Sequence, residues 1–182
     1  MADLILFISE KFVKDNSVVD ENVDSNDIRD AIREAQREHI LPLLGTGLYN
    51  EIKDQIDGDT LTGPNTTLLD DYVRWAHLYW TLHEVVDYIN YKFMNKAIMQ
   101  RSGEDATPIG QNDVIRLMSR FKHKAELYSQ RTTNYLIENE TDYPLFSNAG
   151  SGTDTIHPER NSYNTGWYLG GGQGDCGNDF FA

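Results

Sequence analysis

W-A-H-L-Y-W-T-L-H-E-V-V-D-Y-I, residues 75–89, is the stretch that decides the fold. It lies in a run with helical spacing that starts at Asn65 or Thr66 and reaches Ile89, roughly 35 Å at about 1.5 Å per residue. The polar residues of the run, Asp70, Arg74, His77, Thr81, Glu84 and Asp87, make a narrow stripe. Tyr72, Trp75, Tyr79, Trp80, Val85 and Val86 fill most of the remaining circumference. A helix that is apolar on most sides is buried on most sides. This one is therefore expected at the centre of a bundle, or against a neighbouring subunit as well. Two His, a Glu and an Asp within 75–89 exclude a membrane span.

Upstream, Asp24 or Ser25 is expected to cap a first helix, with Asp27 favourable in its first turn. Ile28, Ala31, Ile32, Ala35 and His39 form its stripe, and Pro42 is expected to end it. Leu43, Leu44 and Gly45 read as a corner, after which Thr46 caps a shorter helix with Leu48, Tyr49, Ile52 and Ile56 on one face. Gly58, Gly63 and Pro64 mark a loop. Residues 4–8 (L-I-L-F-I) read as a short strand or apolar arm, and 10–24 as acidic and irregular. Downstream, 90–109 has no firm period, and Ser102, Gly103, Asp105, Thr107 and Pro108 mark a loop within it. Residues 110–139 form a last long helix with Val114, Met118, Phe121, Ala125, Tyr128, Thr132 and Tyr135 on one face, and Pro144 closes the body. The expected fold is all-α: a small bundle of about four helices, with a short N-terminal strand or arm and an extended C-terminal tail. The body spans residues 1–140 and a Gly-rich arm spans 141–182.

The arm has the composition of a solvated linker, yet carries Tyr143, Phe146, Tyr163, Trp167, Tyr168, Phe180 and Phe181. Ordering such a chain costs about 1–2 kcal/mol per residue in backbone entropy. A small body can hardly offset that and keep its own core, so the arm is expected to lie along other chains; the alternative is a fold-back onto its own domain. Tyr163, Trp167, Tyr168, Phe180 and Phe181 are the expected partner-binding anchors, the role aromatics take at interface hot spots.

The formal charge is −13, unevenly spread. Residues 1–91 hold 7 Lys/Arg against 18 Asp/Glu, residues 92–131 hold 8 against 4, and residues 132–182 hold 1 against 7. So acidic a chain is a poor nucleic-acid binder, because phosphate neutralisation needs cations. The basic stretch is expected to meet an acidic partner or the acidic first half of an adjacent copy, with Arg116, Arg120 and Lys124 as inter-subunit residues. The single cysteine, Cys176, allows no intrachain disulfide and reads as a buried or idle thiol, in keeping with assembly in a reducing cytoplasm. MADLILFISE has no basic region and too short an apolar run for a signal peptide.

No catalytic constellation emerges. H-E-V-V-D at 83–87 approaches the zinc-protease pattern, but the second imidazole is replaced by Asp87, and His77 lies six residues from His83. A di-metal carboxylate bundle needs two Glu-x-x-His pairs, and the positions three before each helical His hold Gln36, Arg74, Trp80 and Arg120. The glycines at 170–172, 174 and 177 open no helix and so form no phosphate loop, and no Gly-x-Ser-x-Gly occurs. Tyr91 and Phe93 with Lys92 and Lys96 are too few for a nucleic-acid surface. No enzyme activity, cofactor or metal is expected.

The runs I-L-P-L-L-G-T-G-L-Y-N-E-I (40–52), W-A-H-L-Y-W-T-L-H-E (75–84), N-Y-K-F-M-N-K-A-I-M-Q-R-S (90–102) and K-H-K-A-E-L-Y-S-Q-R-T-T-N-Y-L (122–136) resemble the head-to-tail connector proteins of tailed bacteriophages. The closest likeness is to the ring proteins of crAss-like phages, over roughly residues 24–140. The resemblance implies a helical bundle repeated as a homo-oligomeric ring, usually a dodecamer. The ring would sit under the portal protein, contact further ring or tail proteins, and pass DNA without binding it specifically. It implies a place at the head–tail junction of the virion after assembly in the host cytoplasm, with no membrane partner. An acidic lumen would repel phosphates and let DNA slide. The alternative is a soluble helical adaptor or regulatory module with a partner-binding tail.

Overall fold

The computed structural model describes residues 5–94, 97–100 and 110–158. The helices are α1 (Glu10–Asp15), α2 (Ser25–Ala35), α3 (Leu41–Asp57), α4 (Gly63–Leu68), α5 (Arg74–Asn90), α6 (Gln111–Glu138) and α7 (Pro144–Ser147). Between α5 and α6 the described residues include an antiparallel hairpin, β1 (Tyr91–Met94) and β2 (Ala97–Gln100), with Tyr91 opposite Gln100. The fold is an all-α bundle carrying this small hairpin, which the aperiodic sequence at 90–109 did not announce.

Asp24 caps α2 as expected, its carboxylate accepting from Asn26 N–H. Ile28, Ala31, Ile32 and Ala35 are fully buried. The helix does not stop at Pro42. A π-helical turn, Gln36–Ile40, joins α2 directly to α3, and Leu41 N–H bonds back to Gln36 O, five residues earlier. The wider turn relieves the clash between the proline ring and the preceding carbonyls that a tight α-turn would impose. It also adds a residue to the period, so Ile40 and Leu44 continue the buried stripe in place of His39. The break comes at Gly45, with φ 75° and ψ 158°, a conformation essentially restricted to glycine. There the chain meets residues 156–158: a Cβ on Gly45 would lie 2.6 Å from Pro158 Cδ. Thr46 does not act as a helix cap. Its N–H donates to Ile156 O at 3.0 Å and its hydroxyl accepts from Ile156 N–H at 2.8 Å.

A second π-helical turn, Leu69–Val73, joins α4 to α5, so one continuous helix runs from Gly63 to Asn90. It begins two to three residues before the expected start, because Pro64 suits the first turn, where its missing N–H has no partner to lose. α5 packs against both α2 and α6, which scarcely meet each other. The polar stripe read from the sequence does not stay at the surface along its length. His77 and Thr81 are wholly buried, and His77 Nε2 donates to Ile32 O at 3.0 Å. α6 follows its expected bounds closely, with Val114, Phe121, Ala125 and Thr132 buried.

Residues 5–9 form an arm with no backbone ladder. The side chain of Gln36 takes the place of a partner strand: Nε2 donates to Ile5 O at 3.0 Å and Oε1 accepts from Phe7 N–H at 2.9 Å. Residues 10–15, expected to be irregular, form α1, capped by the Ser9 hydroxyl on Phe12 N–H. At the other end, Tyr143 and Phe146 are core residues, and Tyr143 OH donates to Pro64 O at 2.7 Å. Residues 141–158, expected as the start of an extended arm, thus lie on the body.

Burial holds the His77 imidazole well below its ordinary range, at about 4 instead of 6.5. The folded protein keeps this ring neutral while the unfolded chain protonates it. Stability is therefore complete above about pH 6.5 and falls as the pH drops towards 4, by roughly 3 kcal/mol in all at about 1.4 kcal/mol per unit. Urea unfolding at pH 7 and pH 5 should show a loss of about 2 kcal/mol that is largely absent in His77→Leu. Equal losses in the two proteins would contradict this account.

Candidate functional site

Two surfaces stand out. The first is a groove of about 550 Å³ between the α2–α3 junction, α5, α6 and residues 156–157. At its floor His39, carried on the first π-turn, stacks flat on Trp80, with ring centroids 3.6 Å apart and planes 8° from parallel. His39 Nε2 lies 3.2 Å from Glu84 Oε1, and the Trp80 indole N–H donates to Ser129 Oγ at 3.0 Å. His83 sits edge-on to Trp80, and its Nδ1 donates to Met118 O at 3.2 Å. The hydrogen bond with His39 holds the Glu84 carboxyl below the usual carboxylate range, against the opposing effect of burial.

The H-E-V-V-D sequence is thereby divided. His83 turns to α6 and Glu84 to His39; the side chain of Asp87 lies outside the described residues. Among the described residues no three His, Cys, Asp or Glu side chains come together as a metal site. His39 and Glu84 resemble the base and orienting acid of a nucleophilic site. Among the described residues, however, no hydroxyl or thiol is hydrogen-bonded to His39. The stack packs the α2–α3 junction against α5, and Trp80 and His83 tie α5 to α6. Sequence reasoning put His39 on the core stripe and missed its partner, because the π-turn that rotates it onto Trp80 is invisible in a 3.6-residue period.

The second surface is the outer face of α6. Arg116 and Arg120 are exposed, as is Arg131 further along. Leu127 stands between Arg120 and Arg131 at 55 % exposure, and Ile115 is 53 % exposed. Lys124 differs from the two arginines with which it was grouped. It is half-buried, and its ammonium lies 5.0 Å from the centre of the Tyr79 ring. The Arg131 guanidinium lies 5.5 Å from the Tyr128 ring. Both cations border an aromatic seam in which Tyr79 stacks on Tyr128 at 5.2 Å and Tyr72 on Tyr135 at 4.1 Å. Of the expected arm anchors, Tyr163, Trp167, Tyr168, Phe180 and Phe181 all lie outside the described residues, as does Cys176. No helix among the described residues is long and apolar enough to cross a membrane.

These features define an all-α bundle whose conspicuous surfaces are packing and charge surfaces. Residues 40–156 match the family described as a family of unknown function, DUF6712, and the chain belongs to that family. The matched region holds both the Gly45 corner and the Ile156 backbone that Thr46 clasps. No curated protein and no solved structure matches the chain.

The different settings of the two kinds of cation can be measured. Lys124→Met should cost about 0.5–1 kcal/mol of stability through the lost cation–π contact. Arg116→Met should change stability by less than about 0.5 kcal/mol. Chemical denaturation of both variants at one pH gives the comparison, and equal effects would remove the distinction.

Proposed function

We propose that this chain is a structural subunit of a phage head-to-tail connector, repeated as a ring beneath the portal, and that it has no catalytic role. The observation that carries this reading is the α6 face, where exposed arginines flank an exposed Leu127 on a chain of net charge −13. A basic and apolar stripe on an acidic protein is suited to a partner of acidic surface, and a second copy supplies one. The resemblance at residues 40–52, 75–84, 90–102 and 122–136 supports the same role. The acidity of the whole suits a channel that DNA traverses without sticking. The segment beyond Pro158, with Tyr163, Trp167, Tyr168, Phe180 and Phe181, would anchor on the portal or on adjacent copies.

Native mass spectrometry of the full chain, alone and with its portal, tests the reading. The expected species is a closed ring, about twelve times the 20.8 kDa of one chain. Removing residues 159–182 should leave the melting temperature nearly unchanged but abolish incorporation with the portal. Trp167→Ala should weaken incorporation about tenfold, if the anchor is worth about 1.4 kcal/mol or more. A chain that stays monomeric with and without the portal would return the protein to the adaptor reading. A truncated chain that is incorporated fully would remove the arm from the interface.

A further inference from the structure

The loop between α1 and α2 is the acidic counterpart of the α6 face. Asp15, Asp20, Glu21 and Asp24 are all exposed, and Val18 among them is 87 % exposed. The loop has a built shape. Lys14 Nζ donates to Glu21 O at 2.8 Å and Val23 O at 3.0 Å, so this cation is engaged in holding the backbone. Asp20 Oδ1 accepts from the backbone and side-chain nitrogens of Asn22, while Val19 and Val23 pack against the core. Among the described residues, no cation lies within ion-pair distance of Asp15, Asp20, Glu21 or Asp24.

On α6, Arg116, Arg120, Leu127 and Arg131 lie along one side over about 22 Å, at about 1.5 Å per residue. Glu126 points elsewhere, towards Lys122 at 4.0 Å. Among the described residues, no carboxylate lies within ion-pair distance of Arg116, Arg120 or Arg131. We infer that the 15–24 loop of one copy docks on this α6 face of a second copy, its carboxylates meeting the arginines and Val18 meeting Leu127. Both halves of the contact belong to the same chain, and each presents one charge sign around one exposed aliphatic residue. A nucleic acid does not fit the acidic loop, and the net charge of −13 opposes its approach to the helix. This inference rests on the assembly reading above and names the two surfaces that carry it.

A charge-swap experiment on the full chain tests it. One variant reverses the helix, Arg116→Glu with Arg120→Glu; the other reverses the loop, Asp20→Lys with Glu21→Lys. All four positions are exposed, and circular dichroism checks that each variant keeps its helix content. Each variant alone should associate at least tenfold more weakly than the unaltered chain at low salt, and rising salt should weaken the unaltered assembly. An equimolar mixture should recover association, because each reversed surface then meets its complement. The neutral changes Arg120→Gln and Glu21→Gln should give the same order of effects at smaller size. If the unaltered chain and both variants assemble alike, this interface is wrong while assembly stands. If both variants fail and the mixture does not recover, the two surfaces do not meet each other. An unaltered chain that stays monomeric with and without the portal overturns the interface and the assembly reading together.

Discussion

The covering of α5 is the constraint that places its two long neighbours, α2 and α6. Its two flanks pack on α2 and α6, and His77 and Thr81, polar residues that would ordinarily seek water, are enclosed between them. Burying an imidazole is tolerable here because it stays neutral and its Nε2–H reaches Ile32 O. The same enclosure explains the two cores. One gathers α1, α2 and the first half of α6 around Leu78, Leu82 and Val85; the other gathers α3, α4, the end of α6 and residues 143–146 around Val73, Ala76 and Trp80. α5 contributes to both.

Two π-turns adapt the helices on either side to this arrangement. A helix of strict 3.6-residue period drifts relative to a neighbour that crosses it at an angle, and an inserted residue resets the phase. At Gln36–Ile40 the reset moves Ile40 and Leu44 into the core and rotates His39 out onto Trp80. It also turns Gln36 inward, where its amide fixes the N-terminal arm. One local irregularity therefore sets the arm, the groove floor and the approach to the Gly45 corner.

This is also where the sequence is hardest to read. The α5 and α6 patterns were legible because their periods are long and regular, and the Asp24 cap and the Gly45 corner because their residue types have few other uses. Pro42 misled, since a proline ordinarily marks a helix end and nothing in the residue types reveals a wider turn before it. The polar stripe of α5 was legible as residues that share a face, but spacing does not show whether a second helix covers them. The hairpin at 91–100 has too short an alternation to separate from loop. Tyr143 and Phe146 were visible as aromatics, but their docking against Pro64 and the α6 end depends on a long-range contact that no local pattern encodes. At the candidate site, Arg116 and Arg120 were legible as surface cations. The inward engagement of Lys124 was not, because it depends on where α5 places Tyr79.

The division of charge bears on how such a body can be used. Pairs within the chain, such as Arg29 with Glu10 and Arg33 with Asp30, are solvent-exposed and contribute little to stability. The carboxylates of the 15–24 loop and the arginines of α6 stand apart from them, in separate single-sign groups. Separation of this kind does little for the fold of one chain, since like charges held close repel. It is useful where one surface must recognise another and reject copies presented in the wrong orientation, because complementary charge fixes register more than it adds affinity. Val18 and Leu127, each exposed at the centre of its group, would add the apolar contact that charge alone does not supply. On the proposed reading, the interior of the bundle makes a rigid block, and the specificity of assembly resides in two surfaces that the core leaves uncovered.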